Sequence, residues 1–123
     1  MNWTIVLIVG VVFAVVFVLQ RMSFVSPEAA RQHLQQGALV VDVRSAEEYR
    51  SRHLPGAVNI PLGEFQESLP RHVPDKNQAV LLHCRSGTRS GIAKRQLKSM
   101  GYQNVFNLGS YGRAQQIVSG ANR

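Results

Sequence analysis

The chain holds one cysteine, Cys84, and it opens the six-residue run Cys84-Arg85-Ser86-Gly87-Thr88-Arg89. A lone thiol has no internal disulfide partner, and fixed positive charge beside a flexible turn is the setting in which a thiolate becomes a reactive nucleophile. The run lies between an apolar segment that ends at His83 and a segment of helical pattern. At such a junction in an α/β sheet, the N–H groups of the turn converge and the helix adds the positive end of its dipole, so anions bind there. The same donors favour thiolate over thiol. Arg89, a cation at the end of a helix where the dipole disfavours one, implies an anion to offset it. The polar neighbours Arg85, Ser86 and Gly87 argue against a buried, inert thiol.

Other polar residues read as support. Asp42 and Arg44, at the end of an apolar run, form an ion-paired network that holds the Cys84 loop. His53, before a Pro-Gly turn, anchors that turn by hydrogen bonds. His83 points away from its neighbour Cys84 by strand alternation, which makes it structural rather than a general base. His33 and His72 read as surface residues, and no pair of candidate ligands has zinc spacing. Lys94, Arg95 and Lys98 share one exposed helix face without interleaved aromatics, which speaks against nucleic-acid binding. The formal net charge of +7 suits an anionic substrate or an anionic lipid surface.

The elements that must position these groups alternate helix and strand, so the fold class is α/β. Ser26 caps a helix that starts at Pro27 and stops at Gly37. Ala38 to Val41 is a buried strand, Ser45-Ala46-Glu47-Glu48 starts a short helix, and Leu54-Pro55-Gly56 ends it. Ala57 to Ile60 is a short strand, and Gly63 to Leu69 is weakly helical up to Pro70. Gln78 to His83 is a central strand, Ser90 to Met100 a helix closed by Gly101, Asn104 to Leu108 a last strand and Tyr111 to Val118 a last helix.

Ahead of this domain, Trp3 to Leu19 carries no charge, and about 17 apolar residues suffice for a bilayer span. The expected organisation is a transmembrane helix over 1–21, a linker over 22–25 and a domain over 26–123. All 14 Lys and Arg residues lie at or after Arg21, which orients a single-pass protein with its C-terminal domain in the cytoplasm. A cleavable signal peptide fits less well, because a positive start and a small-residue cleavage site are both lacking.

Four motifs in order carry a resemblance: Asp42-Val43-Arg44, Glu48-Tyr49, His53-Leu54-Pro55-Gly56-Ala57-Val58-Asn59-Ile60-Pro61 and the Cys84 to Arg89 loop. The chain resembles a single-domain rhodanese from about Ser26 to Val118. The resemblance implies a small parallel sheet with helices on both faces, and sulfur transfer without metal or organic cofactor. Cys84 would take a sulfane sulfur from a small anionic donor such as thiosulfate and pass it, as a persulfide, to a thiol or protein acceptor. Arg85, Ser86, Gly87, Thr88 and Arg89 would bind the donor. Related cysteine-dependent phosphatases place Arg at the sixth position after Cys, where this chain has Ser90, so the shorter loop favours sulfur over phosphate. Two departures bear on substrate choice: Arg52 stands where the family usually has Gly, and Gly109-Ser110-Tyr111 replaces Gly-Gly followed by Trp. The reading from a different class is a non-catalytic, membrane-tethered module presenting a basic surface.

Overall fold

A computed structural model describes residues 2–121. The first helix, α1 (Trp3–Met22), covers the apolar run, and its side chains from Trp3 to Leu19 stay exposed, Trp3 by 74% and Phe13 by 77%. The expected membrane span is nonetheless corrected: among the described residues, no helix is long and apolar enough to cross a membrane. About 17 uncharged residues at ~1.5 Å each rise about 25 Å, short of a ~30 Å hydrocarbon core. The membrane contact through residues 3–19 and the single-pass, cytoplasmic orientation rested on that span and fall with it.

Ser26 Oγ accepts the Ala29 N–H at 3.3 Å and starts α2 (Pro27–Gln35), which Gly37, at φ +92°, brings to an end. Then follow β1 (Leu39–Asp42), α3 (Ala46–Ser51), β2 (Val58–Asn59), a 3-10 turn (Leu62–Glu64), α4 (Phe65–His72), β3 (Val80–His83), α5 (Thr88–Ser99), β4 (Val105–Gly109) and α6 (Tyr111–Ala121). The four strands pair in parallel in the order β2-β1-β3-β4.

The alternation along the strands sorts the core into two layers. Val41, Val43, Val80, Leu82, Cys84 and Val105 face Phe65, Leu69, Ala93 and Leu97 from α4 and α5. Val40, Leu81 and Leu108 face Ala30, Ala114 and Ile117 from α2 and α6. With β1 and β3 central, Asp42 and His83 end side by side in register, and the Cys84 loop leaves the sheet at the same edge.

Two element boundaries differ from the sequence expectation for physical reasons. Helix α4 continues through Pro70 to His72, because buried Phe65 and Leu69 anchor it and the carbonyl that loses its partner belongs to exposed Gln66. Helix α5 begins at Thr88 rather than Ser90, so Thr88 and Arg89 lie in its first turn, while Gly87 at φ +99° supplies the sharp entry.

Candidate active site

Cys84 leaves β3 with its backbone still paired to β4, its N–H donating to Gly109 O at 3.2 Å. The side chain is fully buried, contrary to the reading of its polar flanks. Arg85, Ser86 and Thr88 do project outward, but they let Sγ turn inward beneath the start of α5. There the Gly87 N–H donates to Sγ at 3.0 Å, and the buried Ser90 hydroxyl lies 3.5 Å away. Burial pushes the Cys84 thiol up. Hydrogen bonds from the Ser90 side chain and from the N–H groups of Ser90, Gly87 and Ser86 outweigh it, and the thiol is held below its ordinary value. Sγ thus lies at the start of a helix that has no side-chain cap of its own, where negative charge on sulfur is favoured.

Asn107, buried in β4, ties this arrangement together. Its Oδ1 accepts from Ser90 Oγ at 2.7 Å and from the Gly109 N–H at 2.9 Å, while Nδ2 donates to Gly87 O at 3.1 Å. One amide therefore fixes the loop, the first turn of α5 and the end of β4. Neither Ser90 nor Asn107 stands out as a site residue by sequence; the available signal is an amide inside the apolar run Val105 to Leu108.

Asp42 and Arg44 form a buried pair beneath the same edge. Arg44 donates from Nη2 to Asp42 Oδ2 at 2.7 Å and from Nε to Oδ1 at 3.0 Å, and its own N–H reaches Oδ1 at 2.9 Å. Nη2 also reaches Arg52 O at 2.7 Å, and Asn59 Nδ2 donates to the carbonyls of both Asp42 and Arg44. His83 lies on this face, opposite Cys84, with Nε2 3.8 Å from Asp42 Oδ2. Burial pushes the imidazole down against the pull of Asp42, which leaves it neutral at physiological pH. His53 does not reach the loop; its Nδ1 pairs with Tyr49 O at 2.7 Å and its ring stacks on Tyr49, whose hydroxyl donates to Ala57 O.

Arg89 has its anion, and it comes from the chain itself. Nη1 and Nη2 reach Glu48 Oε1 and Oε2 at 2.7 and 3.1 Å, joining the first turn of α5 to that of α3. Glu48 also closes the capping box with Ser45. Chiefly through Arg89, its carboxyl is lowered from 4.5 to about 2. A carboxyl depressed on folding adds stability that is full above its unfolded value and is lost as pH falls toward the folded one. Urea denaturation should therefore show stability declining between pH 4.5 and about 2 in the parent chain, with that component missing in Glu48→Gln.

At the rim, the Tyr111 ring lies between two guanidinium groups, Arg44 at 4.8 Å and Arg52 at 4.9 Å from its centre. Arg52 donates to Tyr111 Oη at 3.3 Å and to Gln115 Oε1 at 3.2 Å. Exposed Arg85 accepts the Tyr111 N–H on its carbonyl. Four arginines, Arg44, Arg52, Arg85 and Arg89, thus surround the edge, with Asp42 and Glu48 the acidic residues paired to them among the described residues. Among the described residues, no cluster of His, Cys, Asp or Glu could hold a metal ion.

A parallel sheet that delivers one buried thiolate to a ring of N–H donors at a helix start defines a cysteine-loop α/β domain. The family model for the rhodanese-like domain matches residues 26–112. The chain is 48% identical over 69 residues to the thiosulfate sulfurtransferase PspE of Escherichia coli, which covers 56% of this chain and 66% of that protein. It therefore spans just under two thirds of this relative's length. Among solved structures, it is similar to a rhodanese with anions from E. coli, with TM-score 0.61 and 43% identity over 63% of this chain and 91% of the other. The human single-domain sulfurtransferase TSTD1 superposes with TM-score 0.66 and 30% identity, covering 76% and 96% of the two chains. This chain belongs to the rhodanese-like domain family.

Proposed function

We propose that Cys84 carries a sulfane sulfur as a persulfide, taken from thiosulfate or another small anionic donor and passed to a thiol acceptor. The observation that carries the reading is the buried Sγ, which accepts the Gly87 N–H at 3.0 Å at the start of α5. The thiolate attacks the outer sulfur of thiosulfate, a Cys84–S bond forms as the donor's S–S bond breaks, and sulfite leaves with the electron pair. In the second step an acceptor thiolate attacks the outer sulfur of the persulfide, and Cys84 departs as thiolate. The N–H groups of Ser86, Gly87 and Ser90 hold negative charge on sulfur in both resting states.

Arg85, exposed at the mouth, is the group we assign to the incoming dianion, with Ser86 and Thr88 beside it. Arg89 serves differently in this reading. Its bidentate pair with Glu48 shapes the wall of the loop, so its charge reaches the donor only as part of the local field. Asp42 and Arg44 support the edge from below.

Thiosulfate treatment of the full chain should add about 32 Da, one sulfur, at Cys84. Cyanide should remove the added mass, and Cys84→Ala should not acquire it. An unmodified parent chain after thiosulfate and other sulfane donors would end this reading.

A further inference from the structure

Phe24 lies outside every motif of the sequence, yet its ring packs against the back of the Cys84 loop. Residues Ser23 to Val25 join α1 to α2, and they are fastened along β4. The Val25 N–H donates to Asn107 O at 2.9 Å, while Arg113 donates to Val25 O at 2.5 Å and to Leu108 O at 2.7 Å. The Arg113 guanidinium stands 5.4 Å from the centre of the Phe24 ring. The ring also meets two glycines. A Cβ built on Gly87 would lie 2.7 Å from Phe24 Cζ, and one built on Gly109 would lie 3.1 Å from Cδ2 and Cε2.

Gly87 is the residue whose N–H meets Cys84 Sγ, and its φ of +99° is a conformation that glycine leaves easily unless it is held. Asn107 holds its carbonyl from the sheet side. From outside the loop, the neighbour pressed on it is Phe24. The ring also walls a cleft of about 230 Å³ that already reaches the loop at Ser86, Gly87 and Thr88, so removing it would widen that space beside Gly87.

We propose that Phe24 is a positioning residue for sulfur transfer, its ring clamping the Gly87 peptide so that the N–H stays aimed at Cys84 Sγ. The proposal rests on the persulfide reading for its catalytic consequence, but not for its structural one. Without the ring, the Gly87 peptide samples other orientations, the thiolate loses its shortest backbone donor, and persulfide loading slows.

The test compares the full parent chain with Phe24→Ala, Phe24→Val and Phe24→Leu. Iodoacetamide alkylation of Cys84 is followed against pH, thiosulfate loading is followed by intact mass, and circular dichroism checks folding. Phe24→Ala should move the alkylation midpoint upward and slow loading about tenfold, less than the roughly hundredfold that a 1 Å misplacement of a reacting group can cost. Phe24→Leu should recover most of both, with Phe24→Val between. If Phe24→Ala does not fold, Phe24→Val decides: a raised midpoint supports the clamp, and a parental midpoint overturns it. Folded variants whose midpoints and loading rates coincide with the parent also overturn it. A parent chain that takes up no sulfur would defeat the persulfide reading alone, because alkylation needs no sulfur donor.

Discussion

Asp42→Ala should destabilise the domain by about 3–5 kcal/mol, the cost of stranding one member of a buried ion pair. Asp42 is fully buried and Arg44 is 7% exposed, so water cannot replace the carboxylate that takes the Arg44 Nε, Nη2 and backbone N–H. Against a whole-domain stability of about 5–15 kcal/mol, that loss is a large share. Asp42→Asn keeps the volume and one acceptor and should lose less. Arg44→Met in the Asp42→Ala background should recover part of the deficit, since no buried charge is then left unpaired. Urea denaturation measures all four chains; an Asp42→Ala chain close to the parent would mean that the pair contributes nothing net.

Gly87→Ala should cut thiosulfate loading about a hundredfold, because a Cβ there has nowhere to go. The backbone at φ +99° is strained for any residue with a Cβ, at about 1–3 kcal/mol. The added methyl would also sit 2.7 Å from Phe24 Cζ and 3.2 Å from the Gly109 Cα. The ring can move, but the backbone of β4 cannot do so without disturbing the Cys84 N–H to Gly109 O bond. Relaxation therefore falls on the Gly87 peptide, which turns its N–H away from Sγ. Placing the substitution in the Phe24→Ala background removes the ring clash and leaves the φ strain, so the double variant separates the two. Loading at the parent's rate in Gly87→Ala would contradict the account.

The strand, turn and helix around Cys84 are local, and their residues announce them: an apolar run, a Gly at the turn and basic periodicity after it. The capping box of Ser45 and Glu48 is local as well. What pairs across the sheet is not. The Glu48 to Arg89 contact joins residues 41 apart, and the sequence asks for an anion at Arg89 without saying which one. Asn107 meets Ser90 because β3 and β4 are parallel neighbours, and no spacing of residue types encodes that meeting. The burial of Cys84 is not legible in its polar neighbours for the related reason that exposed neighbours along a loop do not fix the direction of the side chain between them. The apolar run at the start did form a helix, but no described helix is long and apolar enough for the span it suggested.

If Cys84 carries sulfur as proposed, its full burial would also decide which of two sulfur atoms an acceptor can reach. A persulfide there would place its second sulfur about 2 Å beyond Sγ. Attack on the inner atom would need an approach through Gly87 and Ser90, and it would yield a mixed disulfide with loss of hydrogen sulfide. Attack on the outer atom needs no such passage and returns the free thiolate. In the persulfide reading, shielding of the inner sulfur would set the product, so that the cargo is handed over rather than discharged as gas and Cys84, the one cysteine of the sequence, returns to its free form without a reductant.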